Sequence, residues 1–230
     1  MSISTLNPAA ASKPPVAYPD SDGAPMADNT VQFRWIVTIK GNLDILYAEV
    51  VDVFVAGDLL WYPVEGDPTI RQAPDVFVVF GRPKGDRGSY MQWVEAGVAP
   101  QVVFEILSPG NRPNQLIRKF AFYEKYGVEE YYIYDPDAGE LLGYLRRDGR
   151  LEEIPAMQGW VSPRLNCKFE VVDGELVMTR PEGRKFVEPA QRVREVEREN
   201  DEIRREKEKT AKAVERLREQ LRKLGAEPEA

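Results

Sequence analysis

The sequence predicts a mixed α/β fold, a mixed β-sheet with helices packed on it, followed by a separate coiled-coil helix. Three observations predict it. Short β-branched and aromatic runs alternate with stripes of helical period between Asn29 and Lys185. Two-residue turn signals of the Asp-Gly type separate several of those runs. From about Pro189 the chain becomes strongly charged and apolar residues recur at 3-4 spacing. The expected organisation is a disordered Pro-, Ala- and Ser-rich tail over 1–28, a domain over 29–185, and a coiled-coil helix and tail over 186–230.

Taking the elements in order, Trp35, Ile36, Ile39, Leu43, Leu46 and Tyr47 recur at helical spacing and predict a helix from about Val31 to Ala48. Val50–Ala56 and Leu59–Val64 read as strands of a hairpin turning at Gly57-Asp58. Asp75–Phe80 and Gln101–Leu107 are short apolar runs of the kind found in buried strands, with a loop-rich stretch from Gly81 to Pro100 between them. A second helix starts after Ser108-Pro109-Gly110, with Asn111 as N-cap and Pro113 in the first turn. It carries the stripe Leu116, Phe120, Tyr123 and ends at Gly127. The strand Tyr131–Tyr134 follows. Two hairpins close the domain, Leu142–Arg147 with Leu151–Ile154 and Phe169–Val172 with Glu175–Met178.

In the C-terminal segment Asn200, Lys207, Val214 and Leu221 form one heptad column, and Ile203, Thr210, Leu217 and Leu224 the other. Arg192 with Glu197 and Glu199 with Arg204 carry opposite charge at the offset that links two parallel helices. A parallel homodimer is the expectation. A lone solvated helix is the alternative, since such a helix gains little from its own pairs.

Composition narrows the chemistry. The chain has 230 residues and no histidine, so Ser-His-Asp and Cys-His catalysis and His-type zinc sites are excluded. Carboxylates, Lys, Tyr, Ser and an oxygen-held hard cation such as Mg²⁺ or Mn²⁺ remain. No apolar run spans a bilayer, and Cys167 is the single cysteine, so the cytoplasm is the default expectation. Net charge is −7, with −2 in residues 1–28, 0 in 186–230 and −5 between. A globally basic nucleic-acid grip is excluded. A local basic groove from Arg71, Arg82, Lys84, Arg87, Arg112, Arg118 and Lys119 is not, and neither is a scatter of surface charges.

Asp75, Glu105 and Lys119 stand out together. Asp75 opens an apolar strand, and Glu105 interrupts Val102-Val103-Phe104 and Ile106-Leu107, where an unpaired carboxylate is costly. Two acids on neighbouring strands can hold one divalent ion, which lowers the pKa of a water and stabilises charge on a phosphoryl oxygen. Lys119 lies beside the core-facing stripe of the next helix, within reach of the end of the Glu105 strand. The alternative from spacing alone is an Asp in a turn, a Glu paired with an Arg, and a solvated Lys.

The words Pro74-Asp75, Glu105-Ile106-Leu107-Ser108-Pro109, Lys119 four residues before Tyr123, Gly127-Val128-Glu129-Glu130-Tyr131-Tyr132 and Asp135-Pro136 together resemble the Uma-type family, part of the PD-(D/E)XK superfamily. The resemblance is tightest over Pro74 to Asp137 and extends more loosely from Gln32 to Met178. It implies a restriction-endonuclease-like fold, with Asp75, Glu105 and the main-chain carbonyl of Ile106 as ligands of Mg²⁺ or Mn²⁺. It further implies a DNA endonuclease acting through a metal-activated water. The superfamily lysine two residues after the glutamate is Leu107 here, so Lys119 on the following helix is the matching candidate. Gln115 stands where relatives often carry an acid. Many superfamily members add an acid from the first helix, for which Asp44 and Glu49 are available. A non-catalytic nucleic-acid-binding or protein-interaction module with the same fold is the alternative.

Overall fold

The computed structural model describes residues 16–21, 23, 27–110 and 112–223. It divides into two compact units, residues 1–186 and 187–230. No helix among the described residues is long and apolar enough to cross a membrane.

The first unit is built on a mixed six-stranded sheet. Its strands are β1 (Val53–Gly57), β3 (Val76–Phe80), β5 (Val102–Ile106), β6 (Glu130–Asp135), β7 (Glu140–Arg147) and β8 (Arg150–Glu153), adjacent in that order. β5 and β6 run parallel, joined by the crossover helix α2 (Pro113–Tyr126), while the other neighbouring pairs are antiparallel. β5 lies in the middle and is buried at every position, so its alternate residues feed two different cores. Val102, Phe104 and Ile106 join the core under α1 (Thr30–Leu46), and Val103 joins the core under α2. Glu105 therefore points to the α2 side.

α1 starts where Asn29 accepts the Gln32 N–H at 2.8 Å, and it buries the stripe Gln32, Ile36, Ile39 and Leu43, with Thr38 and Asn42 beside it. α2 ends at Gly127, whose φ of 94° is left-handed. Its N-cap is Arg112, with the Gln115 side chain accepting the Arg112 N–H at 3.1 Å, and not Asn111, which lies outside the described residues. Both C-terminal hairpins form as the sequence predicts. Asp148-Gly149 and Asp173-Gly174 have positive φ at both positions, the backbone that a two-residue hairpin turn requires. The second hairpin, β10 (Lys168–Val172) and β11 (Glu175–Thr179), pairs with β9 (Trp160–Val161) in a separate three-stranded sheet.

One predicted pairing is overturned. Val50–Ala56 and Leu59–Val64 do not make a hairpin with each other. β1 pairs with β3 instead, and β2 (Trp61–Tyr62) pairs in parallel with β4 (Tyr90–Met91) inside the stretch read as loop. Gly57-Asp58 turns the chain out of the sheet: Asp58 has φ 47° and donates its N–H to the Asp75 carbonyl at 3.2 Å. Long-range pairing with β3 has captured a strand whose local signal named its sequence neighbour.

The second unit is α3 (Pro189–Lys223), a 35-residue helix with no buried residue. Val193, Ile203, Val214, Leu217 and Leu221 are exposed along it. Within the helix Arg192 pairs with Glu195 and Arg204 with Asp201. Leu224, placed in the second heptad column, lies outside the described residues.

Candidate active site

Asp75 immediately precedes β3. The β3–β5 register pairs Val76 with Phe104, and continuing it by one residue sets Asp75 opposite Glu105. Side-chain alternation puts both carboxylates on the α2 face. Their backbones are locked together, since Ile106 donates its N–H to Asp75 Oδ2 at 2.6 Å.

Glu105 is 3% exposed and both of its oxygens are engaged. Lys119 Nζ donates to Oε2 at 2.6 Å, and the Tyr123 hydroxyl donates to Oε1. Lys119 and Tyr123 lie one helical turn apart on α2, so a single helix face supplies both donors. The spacing argument found Lys119 but read Tyr123 only as core. The signal was present, because a tyrosine one turn after a lysine, facing a strand with a buried acid, is a ready donor. The alternative of a Glu paired with an Arg and a solvated Lys is not what forms.

Asp75 is the anomalous acid. Its carboxyl is pushed up to about 8 by burial first and by the neighbouring Glu105 charge second. Lys119, the Ile106 N–H and Gln32 act in the opposite direction and do not restore it. Burial by itself would lower Lys119, but the charges of Glu105 and Asp75 raise it. A buried pair of acids with one lysine is an electrostatic arrangement that a cation relieves.

The first-helix position at this site is held by Gln32. Asp44 is paired with Lys40 at 2.6 Å on an exposed part of α1, and Glu49 lies exposed beyond the end of the helix. Neither joins the constellation. Gln32 Nε2 donates to the Ile106 carbonyl at 3.0 Å, its amide also reaches Asp75, and its Oε1 accepts the Asp28 N–H at 2.8 Å. An acid search along the helix passes over a neutral amide. The usable clue was a polar residue on the buried stripe, three residues after an N-cap.

Of the seven cations weighed for a local basic groove, five are engaged by acids or carbonyls of the chain. Arg82 and Arg87 both hold Glu95, at 2.7 and 2.6 Å, and Lys84 donates to the carbonyls of Tyr47 and Ala48 beyond α1. Arg71 reaches the Pro68 carbonyl at 3.3 Å, and Lys119 is bound to Glu105. Arg112 and Arg118 are exposed at α2. The cations were assigned from sequence without the acids and helix ends that claim them.

For a divalent cation the donor set offers two opposed carboxylates and the Ile106 carbonyl, all hard oxygens. No cluster of three or more Asp, Glu, His or Cys positioned for a metal occurs among the described residues. A set of two acids and a main-chain oxygen fits a hard ion that keeps several waters, and Asp75, raised first by burial and then by the Glu105 charge, would be relieved by such an ion.

The site is thus a buried acid pair with a lysine, carried on a mixed sheet. The chain belongs to the Uma2 family, described as "Putative restriction endonuclease", whose model matches residues 38–166, more than half of the chain. Among solved structures it is similar to "a putative nuclease belonging to DUF820" from Anabaena variabilis. That protein is 16% identical, with a TM-score of 0.41, and the match covers 56% of this chain and 70% of that one. No curated protein matches the chain.

Proposed function

We propose that the protein is a Mg²⁺- or Mn²⁺-dependent endonuclease that hydrolyses DNA phosphodiester bonds. The observation that carries this reading is the placement of Asp75 and Glu105 opposite each other on one sheet face, with Lys119 bound to Glu105. Asp75, Glu105 and the Ile106 carbonyl would hold the cation, which when bound supplies charge neutralisation at the phosphate and a more acidic water. The chain's own residues set the stage for that chemistry. Tyr123 and Lys119 fix the Glu105 carboxylate from two sides, and Gln32 fixes the Ile106 carbonyl. Lys119, 21% exposed, offers the ammonium that can reach a phosphate oxygen or orient the attacking water. Family membership supports a nuclease-like role, and a lone buried cysteine fits a cytoplasmic setting.

We also propose that α3 pairs in parallel with its copy, so that two such sites serve the two strands of a duplex. Its support is the heptad columns and the exposed apolar positions along a helix that buries none of its residues.

A non-catalytic binding module is favoured by one observation: every oxygen of the Glu105 carboxylate and the Ile106 carbonyl already has a donor from the chain itself. One assay separates the two readings. Supercoiled, linear and single-stranded DNA are incubated across Mg²⁺ and Mn²⁺ beside Asp75→Ala. Cleavage by wild type and loss in the variant is the expected result, while identical traces from both defeat the catalytic reading.

A further inference from the structure

Residues 16–21 lie within the stretch that composition assigns to a tail, yet Tyr18 is half-buried in an aromatic slot. Its ring meets Tyr62 edge-on with centroids 5.3 Å apart, and it lies against Trp93 at 4.9 Å. Its hydroxyl accepts the Gly66 N–H, and the Tyr62 hydroxyl donates to the Pro19 carbonyl at 2.7 Å. Two residues on, the Asp20 carboxylate rests against Gly88 so closely that a Cβ there would collide with it. The flanking residues Val16, Ala17, Pro19, Asp20 and Ser21 are exposed, so the Tyr18 ring is the side chain of the segment that is half-buried.

The chemistry of the slot is specific. It takes a planar ring that meets Tyr62 edge-on and Trp93 at a tilt, and it presents donors, Gly66 N–H and Tyr62 O–H, to acceptors. It also admits a carboxylate where the backbone lacks a side chain. A nucleotide has the same three parts: a planar base, acceptor atoms and an anionic phosphate. Tyr62 neighbours Trp61 in β2, and the Trp61 indole is stacked on Tyr123, the donor to Glu105, with an interplanar angle of 2°, so one strand carries both the slot and a residue packed against the site. On a chain of net charge −7, in which Arg82 and Arg87 are paired with Glu95 and Lys119 with Glu105, stacking is a means of holding a strand that does not depend on cations.

We propose that the Tyr62–Trp93 slot binds a base of single-stranded DNA, and that Tyr18 and Asp20 are resident stand-ins for that base and a phosphate, displaced when the strand enters. The inference rests on the nucleic-acid half of the proposed function and is independent of cleavage.

The test is fluorescence anisotropy with a labelled oligothymidylate in EDTA, where no metal-dependent cleavage occurs. Base-on-aromatic stacking contributes about 1–3 kcal/mol per base, so vacating the slot should strengthen binding on the order of tenfold. Tyr18→Ala should do so, as should Asp20→Ala, which vacates the place beside Gly88 and leaves it free for a phosphate. Adding Trp93→Leu to Tyr18→Ala, which keeps apolar bulk but removes the π face, should abolish the gain. Circular dichroism checks that each variant is folded. Binding by Tyr18→Ala no tighter than wild type, or a gain that survives Trp93→Leu, overturns the slot. An equal gain on blunt duplex overturns the single-strand assignment, and tighter binding of the matching RNA overturns the DNA assignment. Absence of Mn²⁺-dependent cleavage would defeat the catalytic reading and leave these binding results standing.

Discussion

Gln32, Asp75, Glu105, Lys119 and Tyr123 come from four elements or their edges, and each acquires its character from the others. Removing Lys119 tests the ion pair. Lys119→Met leaves Glu105 buried with only the Tyr123 hydroxyl, and truncating one partner of a buried pair costs about 3 kcal/mol at the low end, which suits a lysine 21% exposed. Urea denaturation should show that loss, and Glu105→Gln/Lys119→Met should recover much of it. Equal stability of Lys119→Met and wild type would mean that the pair contributes nothing. The acid pair makes a second prediction that needs no substrate. A cation that relieves two opposed carboxylates stabilises the fold that binds it. Mn²⁺ should therefore raise the melting temperature of wild type more than that of Glu105→Gln, and equal shifts would remove Glu105 from the ligand set.

At the scale of elements, β6 carries a second buried acid with a different purpose. Glu130 is fully buried and accepts from the Ser162 and Tyr132 hydroxyls and, at 2.6 Å, from the Arg164 N–H, tying the loop before β10 to the sheet. Burial raises its pKa, and these three hydrogen bonds only partly offset the rise. The folded protein thus binds a proton that the unfolded chain releases earlier. The associated stability is present below the ordinary glutamate range and is lost as pH rises through the raised folded value. Glu130→Gln suits the site, because the carboxamide oxygen can take the Arg164 N–H while both hydroxyls turn to accept from its NH₂. Thermal melts from about pH 4 upward, beginning near the ordinary glutamate value, should show wild type losing ground to Glu130→Gln. Parallel profiles would show that Glu130 does not change its proton affinity on folding.

For the whole molecule the open question is assembly. Asn200 at an inward heptad position pairs with its own copy when two helices align in parallel and in register. The intrahelical pairs Arg192–Glu195 and Arg204–Asp201 are weak enough on an exposed surface to exchange for interchain ones. Sedimentation should find the full chain dimeric at micromolar concentration and a chain ending at Phe186 monomeric or more weakly dimeric. A monomeric full chain would rule out α3 as the dimerising element. A shortened chain that dimerises equally well would move the contact to the first unit.

The sequence by itself determined the elements whose information is local. The α2 stripe with its terminal Gly127, the Asp-Gly hairpins, the buried β5 and the heptad periodicity of α3 were all legible. Each depends on periodicity or turn geometry within a few residues. Asp75, Glu105 and Lys119 were conspicuous in the sequence, but spacing left them open to a turn Asp, a paired Glu and a solvated Lys, and it was the resemblance to the Uma-type family that singled them out. Tertiary structure decided the rest. It sent Val53–Gly57 to β3 in place of its neighbour, gave Arg82 and Arg87 to Glu95, made Gln32 the first-helix member of the site, and seated Tyr18 between Tyr62 and Trp93. All four are partnerships between groups far apart in the chain. Partners of that kind are chosen by which strands lie side by side and which charges are buried together, and no spacing along the sequence records either.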